Sequence, residues 1–237
     1  VIQALFQEKL HVLNIGLSSF ADSITRAGGS VLQIEWAPPA QGQQEVGRAL
    51  ARLVNLLSVE TANQTAFDAY QSAQPVLKGV GTAGQVLPNI AERMILHSGP
   101  PIAWTDMCGP MKGAIVGAIL YEGWAENLAR AEAMASSGEI VFEPCHHHNA
   151  VGPMAGIISP SMPVWMVTNT TNGYQAFSNL NEGLGKALRF GANGPDVITR
   201  LKWMGQVLAP ALGASVELLG GVDLKPMMAK ALHMGDE

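Results

Sequence analysis

Charged side chains are scarce in this sequence of 237 residues. Lys and Arg number 14 and Asp and Glu 19, together 14% of the chain, against about 25% in an average soluble domain. Disordered chains combine low hydrophobicity with high charge, so a hydrophobic share of 48% excludes that class. A net charge of −5 is also not typical of a nucleic-acid-binding protein. The shortage of charge indicates either a membrane protein or a surface largely covered by other protein.

The longest stretch without charge does not have the pattern of a membrane span. Residues 144–181 contain no Asp, Glu, Lys or Arg, but four prolines and a polar run interrupt them, whereas a spanning helix needs about 20 mostly apolar residues in a row. The first residues lack the pattern of a signal peptide. Cys108 and Cys145 are too few for a disulfide framework. We therefore expect a reduced, cytoplasmic protein, a homo- or hetero-oligomer, with no membrane or nucleic-acid partner.

The order of β-rich and helical segments predicts an α/β fold. Residues 11–15 and 31–36 have the composition of strands, and the helical segment between them is stopped by Gly28-Gly29. This order is typical of a right-handed βαβ unit with a parallel pair of strands, so we expect a Rossmann-like start to the chain.

A Gly-Pro-Pro break at residue 99 divides the predicted fold. We expect an α/β domain over residues 1–98 and a mixed α+β domain over residues 99–237. The second domain is expected to contain a helix that begins at Pro110 and a long irregular loop at 144–156.

The segment Pro144-Cys145-His146-His147-His148-Asn149 is the densest candidate site. In an extended chain, His146 and His148 would share a face, with His147 on the other. Histidine near its ordinary pKa can transfer a proton, so acid–base catalysis or hydrogen bonding to a substrate is favoured. The imidazoles could instead satisfy backbone groups, or hold a metal with Cys145 or Glu143. We predict no metal, because no second Cys/His pair at zinc spacing exists elsewhere.

Other candidates are cationic or lie at strand ends. The helix that begins at Pro110 would offer free N–H groups and Lys112 to an anion, although ordinary capping is an alternative. On a helix, Glu182 and Lys186 would form an i,i+4 pair with Arg189 one turn further. This face is either merely solvated or a clamp in which Arg189 binds a carboxylate or phosphate. His97, at the end of a predicted strand, is a lesser candidate.

Several longer motifs are characteristic of one bacterial family. They include Met-Cys-Gly-Pro-Met at 107–111, Leu-Tyr-Glu-Gly-Trp-Ala at 120–125, Pro-Cys-His-His-His-Asn-Ala-Val-Gly-Pro-Met-Ala-Gly at 144–156, Ser-Pro-Ser-Met-Pro at 159–163, Asn-Glu-Gly-Leu-Gly-Lys at 181–186 and Leu-His-Met-Gly-Asp-Glu at 232–237. In these motifs, which are spread over essentially the whole chain, the sequence resembles the YlbE/AllG-type family. That family was long without an assigned function, and its members are associated with FdrA-type proteins.

The resemblance implies a function in anaerobic allantoin breakdown. Family members are linked to oxamate carbamoyltransferase, formed with an FdrA-type subunit and a third subunit. The implied reaction converts oxalurate and phosphate to oxamate and carbamoyl phosphate, all of them small anions, and we predict no cofactor. Family chains continue beyond the Met-Gly-Asp-Glu motif at which this sequence stops, so we expect this chain to be a fragment.

Carbamoyl transfer between anions needs cationic clamps, an oxyanion stabiliser and a proton donor. The predicted catalytic residues are His146, His147, His148 and Glu182. The predicted substrate-binding residues are Lys112, Asn149, Asn181, Lys186 and Arg189. Two other functions stay open: a non-catalytic scaffold for an FdrA-type subunit, and a metal-dependent amidohydrolase that uses the histidine loop.

Overall fold

Helices and strands alternate along the chain, which confirms the predicted α/β class. The structure is a computed structural model and describes residues 11–234; part of the predicted closing motif at 232–237 lies outside these residues. The chain divides into two compact units, Val1–Tyr70 and Gln71–Glu237. The domain boundary between residues 98 and 99 stays a prediction.

The first elements that the structure describes form a βαβ arrangement. Its elements are β1 (His11–Ile15), α1 (Ser18–Arg26) and β2 (Ser30–Ile34), followed by α2 (Gln44–Val54) and α3 (Leu57–Ser72). Strands β1 and β2 are parallel, with His11 opposite Ser30. A parallel pair needs a crossover connection, which α1 supplies. That this arrangement is a Rossmann-like unit stays a prediction.

Two mixed sheets form the framework of the second unit. The strands are β3 (Pro75–Thr82), β4 (Met94–His97), β5 (Val141–Pro144), β6 (Ala150–Val151), β7 (Ile157–Ile158), β8 (Pro163–Asn169), β9 (Gln175–Asn179) and β10 (Val222–Asp223). One sheet has the order β10-β3-β8-β9-β6 and the other β5-β4-β7. In the smaller sheet β4 is parallel to β5 and antiparallel to β7, so β4 and β5 end at the same edge.

One helix lies at the centre of the second unit. The helices are α4 (Ala83–Val86), α5 (Gly109–Tyr121), α6 (Leu128–Ser137), α7 (Pro195–Trp203), α8 (Ala209–Leu218) and α9 (Leu224–Met234), with a π-helical turn at Met204–Leu208 that joins α7 to α8. Residues 114–119 of α5 are all buried, as expected for a helix that is apolar on every side. They pack with Ile95 of β4, Met134 of α6 and Val197 of α7 in one core cluster.

Candidate functional site

The predicted histidine loop lies at the shared edge where β4 and β5 end. Pro144, the last residue of β5, pairs with His97, the last residue of β4. The carboxyl ends of parallel strands are where open α/β sheets bind ligands. Residues Cys145–His148 form a 3₁₀ turn closed by a hydrogen bond from the Asn149 N–H to the Cys145 carbonyl. The chain is therefore not extended here, and the alternation of His146, His147 and His148 between two faces does not occur.

A carboxylate orients one of these histidines. Nδ1 of His147 lies 3.0 Å from Oε2 of Glu143, four residues earlier on β5. A carboxylate oxygen accepts, so Nδ1 donates this hydrogen bond and Nε2 is left for other contacts. The ring of His146 stands edge-on to that of His147, with 4.7 Å between centroids. Both rings are exposed, so this pair can exchange protons with a substrate.

His148 is oriented by the backbone instead. It is only 6% exposed, and its Nδ1 lies 2.7 Å from the carbonyl oxygen of Pro88. Since a carbonyl only accepts, Nδ1–H is the donor and Nε2 is the basic nitrogen. Asn149 follows in the left-handed conformation, with φ of 53°, and its side chain is exposed.

Two residues at the end of β4 were ranked low or missed by the sequence analysis. His97 is 1% exposed, its Nδ1 lies 2.9 Å from the Ser98 carbonyl, and its Nε2 has no partner among the described residues. Ser98 donates from its backbone to Gly156 over 3.2 Å and from its hydroxyl to Met154. The end of β4 is thereby tied to the loop that follows the histidines. The strand-end position of His97 was the sequence signal.

Cys145 is a buried thiol beside this edge. Burial raises the pKa of Cys145 to about 12, although a backbone hydrogen bond opposes the shift in part. Metal binding and nucleophilic attack both need the thiolate, which burial disfavours at Cys145. Within residues 11–234, no three His, Cys, Asp or Glu side chains are grouped to hold a metal ion.

The two cysteines are expected to react with a thiol reagent at very different rates. At pH 8 a thiol with a pKa of about 12 is ionised in roughly one molecule in 10,000, and Cys145 is also shielded, whereas Cys108 is exposed. Titration with an aromatic disulfide should modify one thiol per native chain and two in denaturant. The Cys108→Ser variant should then show almost no native reactivity. Rapid modification of that variant would contradict the buried position of Cys145.

The second candidate segment is a loop rather than a helix, so the predicted i,i+4 pair of Glu182 with Lys186 is wrong. Gly183 and Gly185 adopt φ of 85° and 86°, which a helix does not allow. The Glu182 carboxylate, 6% exposed, instead accepts the backbone N–H groups of Leu188 (2.7 Å) and Arg189 (3.1 Å). It therefore caps the 3₁₀ turn Leu188–Phe190.

Arginines bind this loop from two sides. Arg189 donates through Nη2 to the Gly183 carbonyl over 3.2 Å. Arg200 of α7 lies 3.5 Å from Glu182 and donates to the Lys186 carbonyl. Asn181 accepts the Gly183 N–H over 3.0 Å. The loop thus brings together four predicted residues, Asn181, Glu182, Lys186 and Arg189, and adds Arg200, which no local sequence pattern indicated.

Lys112 is separate from both clusters. It lies in the first turn of α5, donates to the Thr105 carbonyl over 3.0 Å and sits 5.6 Å from the centroid of the Trp104 ring. It lines a groove that also contains Glu132 of α6. Among the described residues, no hydrogen bond or ion pair joins the Lys112 side chain to the histidine turn or to the Arg189 loop.

Two of the longer sequence motifs, at 120–125 and 159–163, contact each other. The Glu122 carboxylate accepts the Ser159 hydroxyl over 2.5 Å and the Ser161 N–H over 2.8 Å. Ile157, which pairs with His97 across β4 and β7, lines a small cavity together with Glu182 and Arg189. Strand β7 therefore lies between the sheet edge that carries the histidine turn and the loop of residues 181–189, which is called the arginine loop below.

No helix within residues 11–234 has both the length and the apolar character needed to cross a bilayer.

Curated relatives and one solved structure match this chain closely. A family model described as oxamate carbamoyltransferase subunit AllG matches residues 140–237. The uncharacterized protein YahG of Escherichia coli (strain K12) is 44% identical over an alignment of 238 positions, which covers 99% of this chain and 50% of YahG. Oxamate carbamoyltransferase subunit AllG of the same organism is 50% identical over 182 residues, which are 76% of this chain and 43% of AllG.

The structural match agrees with these relatives. A crystal structure of a conserved protein of unknown function from Enterococcus faecalis V583 superposes with a TM-score of 0.72 at 48% identity, covering 76% of this chain and 43% of that one. The chain spans about half the length of the curated relatives that it matches. The resemblance read from the sequence is confirmed: the chain is similar to AllG-type proteins, and the part that matches their family model, residues 140–237, contains the histidine turn and the arginine loop.

Proposed function

We propose that this chain is part of a subunit of oxamate carbamoyltransferase and takes part in converting oxalurate and phosphate to oxamate and carbamoyl phosphate. The observation that carries the proposal is the pair of oriented histidines, His147 and His148, at the end of β5 within the segment that matches the AllG model. An FdrA-type subunit and a third subunit are the proposed partners, and the cytoplasm is the proposed location.

The reaction needs one proton to move. A phosphate oxygen attacks the carbamoyl carbon of oxalurate, the C–N bond to the oxamate nitrogen breaks, and the electron pair of that bond goes to the nitrogen. Hydrogen phosphate loses a proton as its oxygen forms the new C–O bond, and the leaving nitrogen gains one. Atoms and charge balance without a cofactor. A neutral imidazole can accept the first proton and donate the second.

The contacts of the histidines suit this transfer. Both Nδ1 atoms donate to fixed acceptors, Glu143 for His147 and the Pro88 carbonyl for His148. Each neutral ring therefore presents its basic Nε2, held in orientation by the other nitrogen. His146, beside His147, and Asn149 are placed by this proposal near the carbamoyl oxygen. Arg189, Lys186 and Asn181 serve as anion-binding residues, while substrate binding by Lys112 and a catalytic role for Glu182 stay predictions.

His148→Ala is expected to lower turnover by tenfold or more in a mixture of this chain with its proposed partner subunits. That is a loss of at least about 1.4 kcal/mol of transition-state stabilisation. Carbamoyl phosphate formed from oxalurate and phosphate is the readout, with each subunit assayed alone and in mixture. His11→Ala, an exposed histidine of the first unit, is the matched control and should keep the wild-type rate. A folded His148→Ala variant with the wild-type rate would reject the acid–base role.

A scaffold subunit is the second candidate. The observation that favours it is that His148 already satisfies the Pro88 carbonyl, a contact that serves packing as well as catalysis. Activity that requires the mixture but does not respond to changes in the histidine turn would support the scaffold. Activity of this chain alone would support an independent enzyme.

A further inference from the structure

We propose that Arg189 and Arg200, held by the loop 181–188, form a binding site for a small oxyanion, a phosphate or carboxylate group, and that Glu182 positions them. The inference deepens the proposed function and rests on it for the identity of the anion. The site itself is argued from its contacts and charge.

Positive charge exceeds negative charge at this loop. Arg189 and Arg200 contact the single carboxylate of Glu182, Lys186 lies on the same loop, and residues 183–195 include no Asp or Glu. The Arg200–Glu182 pair is long, at 3.5 Å, and neither Arg189 nor Lys186 has an ion pair within the described chain. In a protein with a net charge of −5, such a local excess attracts small anions.

The two guanidinium groups are held in place but not fully bonded. Each uses Nη2 to bind a carbonyl of the same loop, Gly183 for Arg189 and Lys186 for Arg200. The Nε atoms of both arginines are buried and have no acceptor among residues 11–234. A buried donor without an acceptor is unfavourable. A carboxylate or phosphate offers several acceptor oxygens to such a guanidinium fork.

Glu182 carries a single negative charge and so cannot neutralise all of these cations. Oε2 accepts the Leu188 N–H and Oε1 accepts the Arg189 N–H, which fixes the turn from which the Arg189 side chain starts. Arg200 contacts Oε2 of the same carboxylate, which ties α7 to this loop. Glu182 is therefore a positioning residue in this site.

A small cavity adjoins Arg189 on the side of the core. It has a volume of about 30 Å³ and is lined by Tyr121, Asn179, Glu182 and Arg189 among mainly apolar side chains. A space of this size admits a few atoms and not a whole substrate. In the proposed site, this cavity leaves room for one end of a ligand next to Arg189.

Calorimetric titration of the full chain with inorganic phosphate, and separately with oxamate, at constant ionic strength tests the site. We expect binding to the wild-type chain and a loss of affinity of at least tenfold in Arg189→Gln and in Arg200→Gln. Glu182→Gln makes the site more positive, yet it should weaken binding because the arginines lose their support. Arg130→Gln is the matched control, since Arg130 forms a surface pair with Glu139 away from the loop, and it should bind like the wild type.

The outcomes separate this site from the proposed function. Failure of the wild type to bind either anion, or wild-type affinity in both arginine variants, overturns the site, and so does tighter binding by Glu182→Gln. If Arg200→Gln does not fold, Arg189→Gln and Arg200→Lys, which keeps the charge but loses the fork, decide the question. Normal binding without turnover in the mixed subunits would reject the proposed function and leave the site intact. The anion that binds more tightly, phosphate or oxamate, identifies the chemical group that the site recognises.

Discussion

Gly113→Ala is expected to reduce the free energy of unfolding by about 3 kcal/mol, at the upper end of the cost of overpacking a core. A Cβ atom at this position would lie 2.3 Å from the carbonyl oxygen and 3.0 Å from the Cα of Gly191. Both atoms belong to the backbone, so no change of rotamer relieves the clash. Alanine in a helix interior normally stabilises by about 1 kcal/mol relative to glycine, so the expected effect has the opposite sign to the usual one.

The clash would also reach the arginine loop. Gly191 ends the turn that contains Arg189 and adopts φ of 86°, and a Cβ there would itself meet Pro110 of α5 at 2.7 Å. The turn and α5 are thus in backbone contact on both sides. Because α5 is buried in the core, the turn is the part that moves. Gly113→Ala should therefore weaken phosphate binding as well as stability.

Gly109→Ala, on the same helix, provides the control. No atom lies within 4 Å of a Cβ built at Gly109, so this change should alter the free energy of unfolding by no more than about 0.5 kcal/mol. Urea unfolding followed by circular dichroism compares the two variants. Equal stability of Gly113→Ala and Gly109→Ala would show that α5 and the turn do not pack as described.

Local patterns in the sequence were enough to predict the α/β class and many of the elements. The predicted segments around β1, α1 and β2 agree with the observed bounds to within two residues, because glycines and prolines mark their ends. Strand β9 is not predicted from its local sequence pattern. Phe177 is its one fully buried side chain, and it becomes a strand by pairing with β8, a partner that periodicity does not reveal.

The sequence predicted which residues form the candidate site better than it predicted how these residues are arranged. The histidine turn was identified by composition, but the Pro88 carbonyl that orients His148 lies 60 residues away in the sequence. Arg200 joins the loop from a separate helix, and no local pattern links it to Glu182. The helix considered around Glu182 does not form, because Gly183 and Gly185 are helix breakers, and both are visible in the sequence.

Glu182→Ala is expected to lower the free energy of unfolding by about 3 kcal/mol. The substitution leaves two backbone N–H groups without an acceptor and removes the acidic partner of Arg200, and each buried unsatisfied donor costs about 1–3 kcal/mol. Arg200 is 31% exposed, so water and salt screen its ion pair and most of the loss comes from the N–H groups. Glu182→Gln keeps an acceptor oxygen and should lose roughly half as much.

Glu139→Ala is the matched comparison because it removes a carboxylate from a shorter ion pair. Glu139 lies 2.9 Å from Arg130, against 3.5 Å for Glu182 and Arg200, but the side chains of the Arg130–Glu139 pair are 53% and 39% exposed. Exposed pairs contribute about 0–1 kcal/mol, so Glu139→Ala should lose less than 1 kcal/mol in the same urea titration. The longer pair is expected to matter more because the Glu182 carboxylate is buried and accepts backbone donors that have no other acceptor. Equal losses in the two variants would mean that the turn carrying Arg189 forms without Glu182, and the positioning role of this carboxylate would then be lost.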